Sequence, residues 1–207
     1  MGGEAIKQQQ RAQETRVRIL AAAQEGFARY GYDATGVAEI CARAGVSKGA
    51  FYHHFPTKQA LFLELMEGWL EGLDAQLRAI HASAATVPEA LRRMAATVGQ
   101  VFRVGRGHLP VFLEFWSKAA REPEVWKALS APYRRYQAYF CAIIEAGIAE
   151  GTLRAVSPEV TAQLLVSAAV GLVLQGMVDQ NGADWGRVVE DVVDLILDSI
   201  ETVSYTH

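Results

Sequence analysis

Apolar residues recur at intervals of three and four along most of this chain, and that spacing places them on one face of an α-helix. In the first such stretch Ile19, Ala23 and Phe27 share a face, Thr15 is expected to cap the helix, and Gly31 is expected to end it. Strands need apolar and polar residues to alternate, and no stretch of useful length alternates in this way. The chain is therefore expected to fold as an all-α protein.

The same spacing, interrupted by turn residues, predicts about nine helices. A chain of 207 residues has room for a small helical domain followed by a larger helical bundle. We predict a helix-turn-helix domain over residues 1–60 and a ligand-binding and dimerisation domain over residues 61–207. The expected helices cover residues 15–30, 37–44, 47–54, 58–80, 88–104, 109–121, 123–150, 158–179 and 184–203.

The sequence SKGAFYHHF, residues 47–55, combines small residues, a cation, two histidines and three aromatic rings. Phe51 and Phe55 lie one helical turn apart, so both can anchor a short helix to a core. Gly49 and Ala50 have small side chains, so the outer face of the helix can approach another surface closely. The remaining polar side chains can then donate hydrogen bonds to that surface.

Two short helices that meet in a tight turn at Gly45 are typical of a helix-turn-helix, whose second helix enters the DNA major groove. The charge distribution agrees with this interpretation. Residues 1–58 carry eight Lys or Arg against five Asp or Glu, whereas the rest of the chain carries twelve against eighteen. We call the N-terminal part the head and the remainder of the chain the body. A basic head on an acidic body favours binding of a polyanion by the head.

The sequence ILAAAQEGFARYGYDATGVAEICARAGVSKGAFYHHFPTKQALFLEL, residues 19–65, resembles the DNA-binding domain of TetR-family transcriptional regulators almost without gaps. The resemblance implies a double-stranded DNA operator as partner and contacts from the starts of the second, third and fourth helices. The family usually has Ser or Thr as the cap of the second helix where this chain has Gly36, so a hydroxyl contact to phosphate is missing there. By matching position, the implied DNA-binding residues are Thr35, Gly36, Val37, Ala38, Ser47, Lys48, Gly49, Ala50, Tyr52, His53, His54 and Lys58.

The sequence LEFWSKAAREPE, residues 113–124, resembles a stretch found in a BetI-like subset of that family. No effector is carried over from that subset, but the TetR-family resemblance implies a cavity between the helices of the C-terminal bundle, and we expect it to bind a small, largely apolar effector. Any one aromatic residue in these helices is more typical of a packed core than of a ligand site. The prediction of a cavity therefore concerns the aromatic residues taken together. The predicted ligand-binding residues are Trp69, Leu73, Phe102, Phe112, Phe115, Trp116, Tyr136, Tyr139 and Phe140.

Features of enzymes and of metal sites are missing from the sequence. The two cysteines form no CxxC pair, and no GxSxG, Walker-type or HExxH motif occurs. Glu64, Glu67, Glu71 and Asp74 recur at three and four on one helix, but without a histidine partner this pattern is typical of a solvated face. We therefore expect no enzymatic activity, no cofactor and no metal.

Residues 160–178 are apolar over about the length that a membrane helix needs. Gln163, Ser167 and Gln175 interrupt this stretch, and no Lys or Arg flanks it, so a buried bundle helix is expected instead. The N-terminal sequence MGGEAIKQQQRAQE is polar and lacks the apolar core of a secretory signal. These features predict a cytoplasmic protein without a membrane partner.

Taken together, the sequence predicts a ligand-responsive transcriptional regulator, by family default a repressor that an effector releases from a palindromic operator. Two alternatives remain: a helical small-molecule-binding protein or enzyme with an incidental helix-turn-helix, and an architectural DNA-binding protein without an effector. A homodimer is expected to form through residues 158–203, where small residues permit close helix approach and apolar residues supply contact area. The residues concerned are Ala168, Ala169, Gly171, Gly176, Val188, Val192, Leu195 and Ile196.

Overall fold

The computed structural model describes residues 2–104, 123–179 and 181–202. Within these ranges the chain forms helices and no strand, which confirms the all-α prediction; one isolated antiparallel bridge joins Leu153 to Glu201. The predicted helix over residues 109–121 lies outside the described residues. The described helices are α1 (Gly2–Tyr30), α2 (Val37–Ala44), α3 (Lys48–His54), α4 (Lys58–Ser83), α5 (Val87–Val104), α6 (Pro123–Ala149), α7 (Pro158–Val178) and α8 (Trp185–Ile200).

The predicted start of the first helix at Thr15 is wrong, because α1 already begins at Gly2. Residues between these two positions are mostly Gln, Glu, Lys, Arg and Ala, which favour helix even without an apolar face. Thr15 is accommodated inside the helix because its hydroxyl donates to the carbonyl of Arg11 at 2.8 Å. The hydroxyl thus bonds within the helix instead of capping it.

Local signals set the ends of the helices in the N-terminal part. Gly31 and Gly45 adopt φ values of 85° and 63°, in the left-handed region where a side chain is strained, and each follows a helix. Ser47 accepts a hydrogen bond from the Ala50 N–H, and so caps α3 as predicted. Thr57 caps α4 in the same way. These ends therefore follow from the sequence alone.

The head core is a cluster of buried apolar side chains from α1, α2, α3 and the first turns of α4. Phe51 and Phe55 are buried as predicted, with 0% and 2% of their surfaces exposed. Leu61 and Phe62 of α4 also belong to this cluster, and so does Val125 from the start of α6. The predicted domain boundary at residue 60 falls in the first turn of α4, and it stays a prediction.

The body core is formed where α5 packs along α8 and α6 packs along α7. Leu77 of α4, Leu91 of α5, Ile144 of α6 and Leu197 of α8 are all buried there. Ile196, predicted to supply apolar area to a dimer interface, is instead packed inside this core with 9% exposed. That part of the prediction is wrong, because the Ile196 side chain is buried in the body core of its own chain.

Within the described ranges, α7 is the one helix long and apolar enough to cross a membrane by length and composition. It packs instead against α6 and α8, and Ala162, Leu165 and Val166 are buried by this packing. The apolar residues of α7 are thus explained by packing within the helical bundle.

At the crossing of α5 and α8, Gly99 of α5 lies directly against the backbone of Gly186 of α8. A Cβ added to Gly99 would lie 2.9 Å from the carbonyl oxygen of Gly186 and 3.3 Å from its Cα. Because these are backbone atoms on a packed helix, neither can move aside without separating the two helices. The spacing of α5 and α8 therefore requires glycine at position 99.

We predict that Gly99→Ala destabilises the protein although alanine is the better helix former. Overpacking typically costs about 1–3 kcal/mol, which exceeds the helix-propensity gain of about 1 kcal/mol. Urea unfolding at fixed protein concentration measures the difference. The control is Gly72→Ala on α4, where an added Cβ has no neighbour within 4 Å, and it should leave stability unchanged or raise it. Equal stability of the two variants would contradict the close crossing.

Candidate DNA-binding face and effector cavity

The outer face of α3 gathers most of the predicted DNA-binding residues. Lys48, Gly49, Tyr52 and His53 are exposed, with 54% of the Tyr52 surface accessible, and Ser47 lies beside them at the helix start. The opposite face of the same short helix is anchored by the buried phenylalanines of the head core. α3 is thus a ridge with donors and a cation on its outer side, as the sequence predicted.

The start of α2 adds a second patch beside this ridge. Gly36 is the N-cap, with φ −83° and ψ 155°, and supplies no side-chain hydrogen bond to the helix. Gly36 and Ala38 are exposed, and Val37 is half-buried against the head core. The backbone N–H groups in the first turn of α2 therefore have no side-chain cap, and such groups bind phosphate well.

Thr35 does not belong to the exposed face, and its predicted contact to DNA stays a prediction. The side chain is 0% exposed, and its hydroxyl donates to the carbonyl of Gly31 at 2.8 Å. Its methyl group packs against α1 so tightly that a Cβ on Gly26 would lie 2.7 Å away. Thr35 instead fixes the turn that leads into α2.

Lys58, predicted to contact phosphate, is occupied within the protein. Its ammonium donates to the carbonyls of Tyr32 at 2.8 Å and Thr35 at 3.1 Å, and it lies 4.3 Å from the centre of the Tyr32 ring. These contacts tie the turn between α1 and α2 to the start of α4. A contact from Lys58 to DNA stays a prediction, and its role in the fold was not foreseen.

His54 differs from its exposed neighbour His53. Burial lowers the pKa of His54 below its usual range, and Coulombic interaction with His53 and Arg16 lowers it further. The ring is therefore neutral at pH 7, so it can act as a hydrogen-bond partner but contributes no positive charge toward DNA.

Gly49 has no structural requirement for glycine. A Cβ at this position would meet only the Ser47 hydroxyl oxygen, at the ordinary contact distance of 3.8 Å. Glycine inside a helix costs up to about 1 kcal/mol relative to alanine. Glycine at position 49 therefore lowers the stability of α3 although alanine would fit there. Such a choice is expected where the backbone of a partner approaches the helix closely.

A cavity of about 1200 Å³ lies between the N-terminal helices and the bundle. The lining residues that the structure describes come from α1 and α4 on one side and from α5, α6, α7 and α8 on the other. Tyr136 of α6 helps to form the wall, since its hydroxyl donates to the Leu70 carbonyl of α4 at 3.1 Å. The cavity thus borders both the head and the body.

Four predicted ligand-binding residues line this cavity: Trp69, Leu73, Tyr136 and Phe140. Tyr139 does not line this cavity, and its contact with a ligand stays a prediction. It lies in a separate small recess, where Arg78 stacks 4.8 Å from its ring centre and His81 is adjacent. Tyr139 is turned about 100° around α6 from Phe140 and about 60° from Tyr136, and its ring lies beside Arg78 and His81 of α4. The side chain of Phe102, together with Phe112, Phe115 and Trp116, lies outside the described residues.

The sequence did not indicate that α1 takes part in the cavity. Leu20, Gln24, Phe27 and Ala28 all contribute to its wall. Apolar spacing predicted only that this face of α1 is buried, and it does not distinguish burial against a core from burial beside a cavity. Three glutamates expected on a solvated face also line the cavity: Glu64, Glu67 and Glu71. Across the described ranges, no cluster of three or more His, Cys, Asp or Glu side chains is arranged to hold a metal.

We predict that Lys58→Met destabilises the fold, whereas Lys48→Met does not. Removing the Lys58 ammonium leaves two carbonyls of a tight turn without their charged donor, at about 1.5–3 kcal/mol for such hydrogen bonds. Lys48 is exposed at the start of α3. Thermal unfolding followed by circular dichroism separates the two variants. A Lys58→Met protein as stable as wild type would show that the ammonium does not hold the turn.

Two family models match the chain. Residues 19–65 match the model for bacterial regulatory proteins of the tetR family, and residues 88–200 match the model for the C-terminal part of BetI-type transcriptional repressors. The second match covers more than half of the chain and confirms the BetI-like resemblance. The transcriptional repressor KstR2 of Rhodococcus jostii is 26% identical over 139 residues, which are 67% of this chain and 68% of that protein.

Solved structures share the fold. A TetR transcription regulator from Haloarcula marismortui superposes with a TM-score of 0.83 at 16% identity, covering 92% of this chain and 100% of the other. A transcriptional regulator from Saccharomonospora viridis, crystallised with choline, gives 0.77 at 22% identity with the same coverage. The matched family models and KstR2 are transcriptional regulators, which agrees with the expectation that the chain is not an enzyme. With a helix-turn-helix head, an all-α body and both family models matched in order, the chain belongs to the TetR family of transcriptional regulators, with a BetI-type C-terminal part.

Proposed function

We propose that this regulator is a repressor that binds a palindromic operator as a homodimer and is released by a small, largely apolar effector. The cavity carries the proposal. Its wall includes Phe27 of α1 and Phe62 of α4, which belong to the head core, together with Leu91 and Leu165 of the body. A molecule that fills this space contacts the DNA-binding part and the bundle at once. The position of the head can therefore respond to the ligand.

The DNA-binding face of each head consists of the outer side of α3 and the exposed start of α2. On this proposal Lys48 and Tyr52 contact phosphates, His53 and His54 lie toward base edges, and the backbone of Gly36 replaces the missing hydroxyl cap. The surface that faces DNA also includes Ser47, Gly49, Ala50, Val37 and Ala38. Phosphate contacts position the protein, so Lys48 supports binding to all sequences alike.

The dimer is proposed to form through the outer faces of α7 and α8, residues 158–203. Val160, Leu164 and Val178 are exposed on α7, with 68%, 50% and 84% of their surfaces accessible, and Leu195 of α8 is 71% exposed. Such large exposed side chains on neighbouring helices are typical of an interface across a two-fold axis. Gly171 lies along the same face of α7, where an added Cβ would meet no atom of its own chain within 4 Å.

Other residues predicted for this interface have different positions. Ala168 and Ala169 line the cavity, and so does Val192. Val188 and Gly176 pack within the chain, where Gly176 is buried and Val188 is half-buried against the body. The proposed interface therefore depends on the outer residues of α7 and on Leu195.

Release follows from the length and continuity of α4. The helix has 26 residues and spans roughly 39 Å at about 1.5 Å per residue. Lys58 attaches its first turn to the head, and Leu77 is packed in the body core near its other end. An effector beside the middle of α4 tilts the helix and moves the two heads apart, so they no longer match half-sites spaced about 34 Å or a multiple of that. A preference of a few kcal/mol for the tilted state suffices.

The cavity also weighs against the alternatives. An architectural DNA-binding protein has no use for a space of about 1200 Å³ beside its DNA-binding head, since cavities are costly unless a ligand fills them. Family membership removes the enzyme alternative. Because its target is DNA, we place the regulator in the cytoplasm, where other members of the family act.

We predict that Gly49→Ala weakens operator binding by about tenfold or more, because one methyl group forced against a phosphate backbone is an overpacking of about 1–3 kcal/mol. The operator is first selected from random DNA, and affinity is then measured by fluorescence anisotropy. Folding stability should be unchanged or slightly higher. Gly72→Ala, remote from α3, is the control and should bind like wild type. Wild-type affinity in Gly49→Ala would remove α3 from the DNA contact.

We predict that Leu164→Glu converts the dimer to monomers and abolishes operator binding, because it places a charge in the centre of the proposed interface and leaves each head with too few contacts alone. Sedimentation velocity at micromolar concentration reports the assembly state. Val17→Glu changes an equally exposed apolar residue on α1, with 53% accessible, and should leave the dimer intact. A dimeric Leu164→Glu protein, or a monomeric wild type, would contradict this interface.

A further inference from the structure

We propose that the first half of α1, residues 4–18, is an additional DNA-contacting element, which binds backbone phosphates beside each half-site through Lys7, Arg11 and Arg18. The inference rests on the proposed function in one respect, since it requires an operator to which the heads bind. It goes beyond that function because these three residues lie outside α2, α3 and α4, which carry the predicted contacts.

The first half of α1 is exposed along its length. The helix has 29 residues, but its buried residues begin only at Ile19. Among the side chains that the structure describes between residues 4 and 18, none is buried. Helices gain most of their stability from tertiary packing, and a stretch of this length is only marginally stable in water without it. A partner that binds this half of α1 would therefore stabilise it.

The side chains of this stretch suit a polar partner with negative charge. Lys7, Arg11 and Arg18 are exposed and form no ion pair with a described residue. Large apolar side chains are few: Ile6 and Val17 are 59% and 53% exposed, which is too little apolar surface for a protein interface or for insertion into a membrane. Amides that donate to phosphate oxygens accompany the cations, namely Gln8, Gln9, Gln10 and Gln13.

The three cations share one side of α1, and that side lies beside the start of α3. At about 100° per residue, Lys7, Arg11 and Arg18 fall within about 40° of one another around the helix. The Arg18 guanidinium donates to the carbonyl of Ala44 at 3.3 Å, at the end of α2 and just before the turn into α3. Lys48, the first residue of α3, is exposed after this turn. The basic side of α1 therefore continues the candidate DNA-binding face.

α1 also contacts the other end of α3. Arg16 forms an ion pair with Glu64 and lies 5.2 Å from the ring centre of Phe55, the C-cap of α3. Contacts near both ends of α3 hold α1 alongside it, so the earlier residues of α1 project past it. Lys7 precedes Arg18 by roughly 16 Å along the helix, which exceeds the width of about 12 Å of the major groove. The strip is long enough to reach phosphates outside the groove that α3 enters.

Two acidic residues lie near the basic side of α1. Glu4 is in the first turn, where the helix dipole balances a negative charge. Glu14 follows Arg11 by three residues and precedes Arg18 by four, so the two guanidinium groups can share it. Removal of the Glu14 charge should therefore strengthen DNA binding, which is opposite to the effect expected for the cations.

The test compares the full-length wild-type protein with a variant that combines Lys7→Gln and Arg11→Gln. Glutamine is a good helix former, so α1 should stay helical, which circular dichroism checks. One DNA duplex ends at the outer edge of the selected palindrome, and a longer one adds about five base pairs or more on each side, since roughly 16 Å of helix spans that distance at about 3.4 Å per base pair.

On the longer duplex the double variant should bind at least about tenfold more weakly than wild type. The slope of log affinity against log salt should fall by about two for each head of the dimer. On the shorter duplex the two proteins should bind nearly alike, because the flanking phosphates are missing. Glu14→Gln should bind the longer duplex about twofold or more tightly than wild type.

The matched control combines Arg29→Gln with Arg134→Gln, which removes the same total charge. Arg29 is exposed at the other end of α1, and Arg134 is exposed on α6. This variant should bind both duplexes like wild type. Thermal melting confirms that every variant is folded.

Wild-type affinity of the double variant for the longer duplex, an equal loss on both duplexes, or an equal loss in the control would overturn the proposal. A loss confined to vesicles of anionic phosphatidylglycerol, with DNA binding unchanged, would assign the strip to a membrane surface and overturn it too. If Gly49→Ala weakens operator binding and the double variant does not, the regulator stands and the role of α1 is wrong. If no duplex is selected from random DNA, the proposed function itself fails.

Discussion

A single continuous helix with buried residues in two cores is the constraint on which the rest of the structure depends. α4 contributes Leu61 and Phe62 to the head core and Leu77 to the body core. Because a helix is stiff over this length, the two cores cannot reorient independently of each other. Val125 of α6, which also packs into the head core, adds a second link between head and body. The head, which carries the candidate DNA-binding face, is thereby joined through α4 to the cavity that this helix lines.

Polar contacts complete this linkage where apolar packing ends. The Lys58 ammonium attaches the turn before α2 to the first turn of α4. The Arg16–Glu64 pair joins α1 to α4 one turn further along, and Arg16 also covers Phe55. Exposed ion pairs contribute little to stability on their own. Their value in this protein lies in position, since each connects the DNA-binding face to a helix that lines the cavity.

Much of the head could be predicted from the sequence because its determinants are local. Gly45 in the left-handed conformation, the Ser47 and Thr57 caps and the buried Phe51 each depend on neighbours within a few residues. The sequence did not decide the contacts of a residue that has two chemically reasonable environments. A threonine before a helix is equally suited to contact phosphate or to bond backward to a carbonyl, and in Thr35 burial against α1 selected the second. A lysine at a helix start is equally suited to bind phosphate or to bond to backbone carbonyls, as Lys58 does.

The sequence by itself determined that the chain is all-α, where most of its helices begin and end, and which short helix exposes the candidate DNA-binding residues. Apolar spacing, caps and turn glycines are properties of the local chain. Only the tertiary structure decided which apolar faces meet each other and which border empty space. The sequence predicted that Tyr136 and Tyr139 of α6 line the same cavity. In the structure the Tyr136 ring lines the large cavity, whereas the Tyr139 ring lies in a separate recess. The close crossing of Gly99 and Gly186, and the participation of α1 in the cavity wall, arise between segments far apart in sequence. No local pattern records such distances.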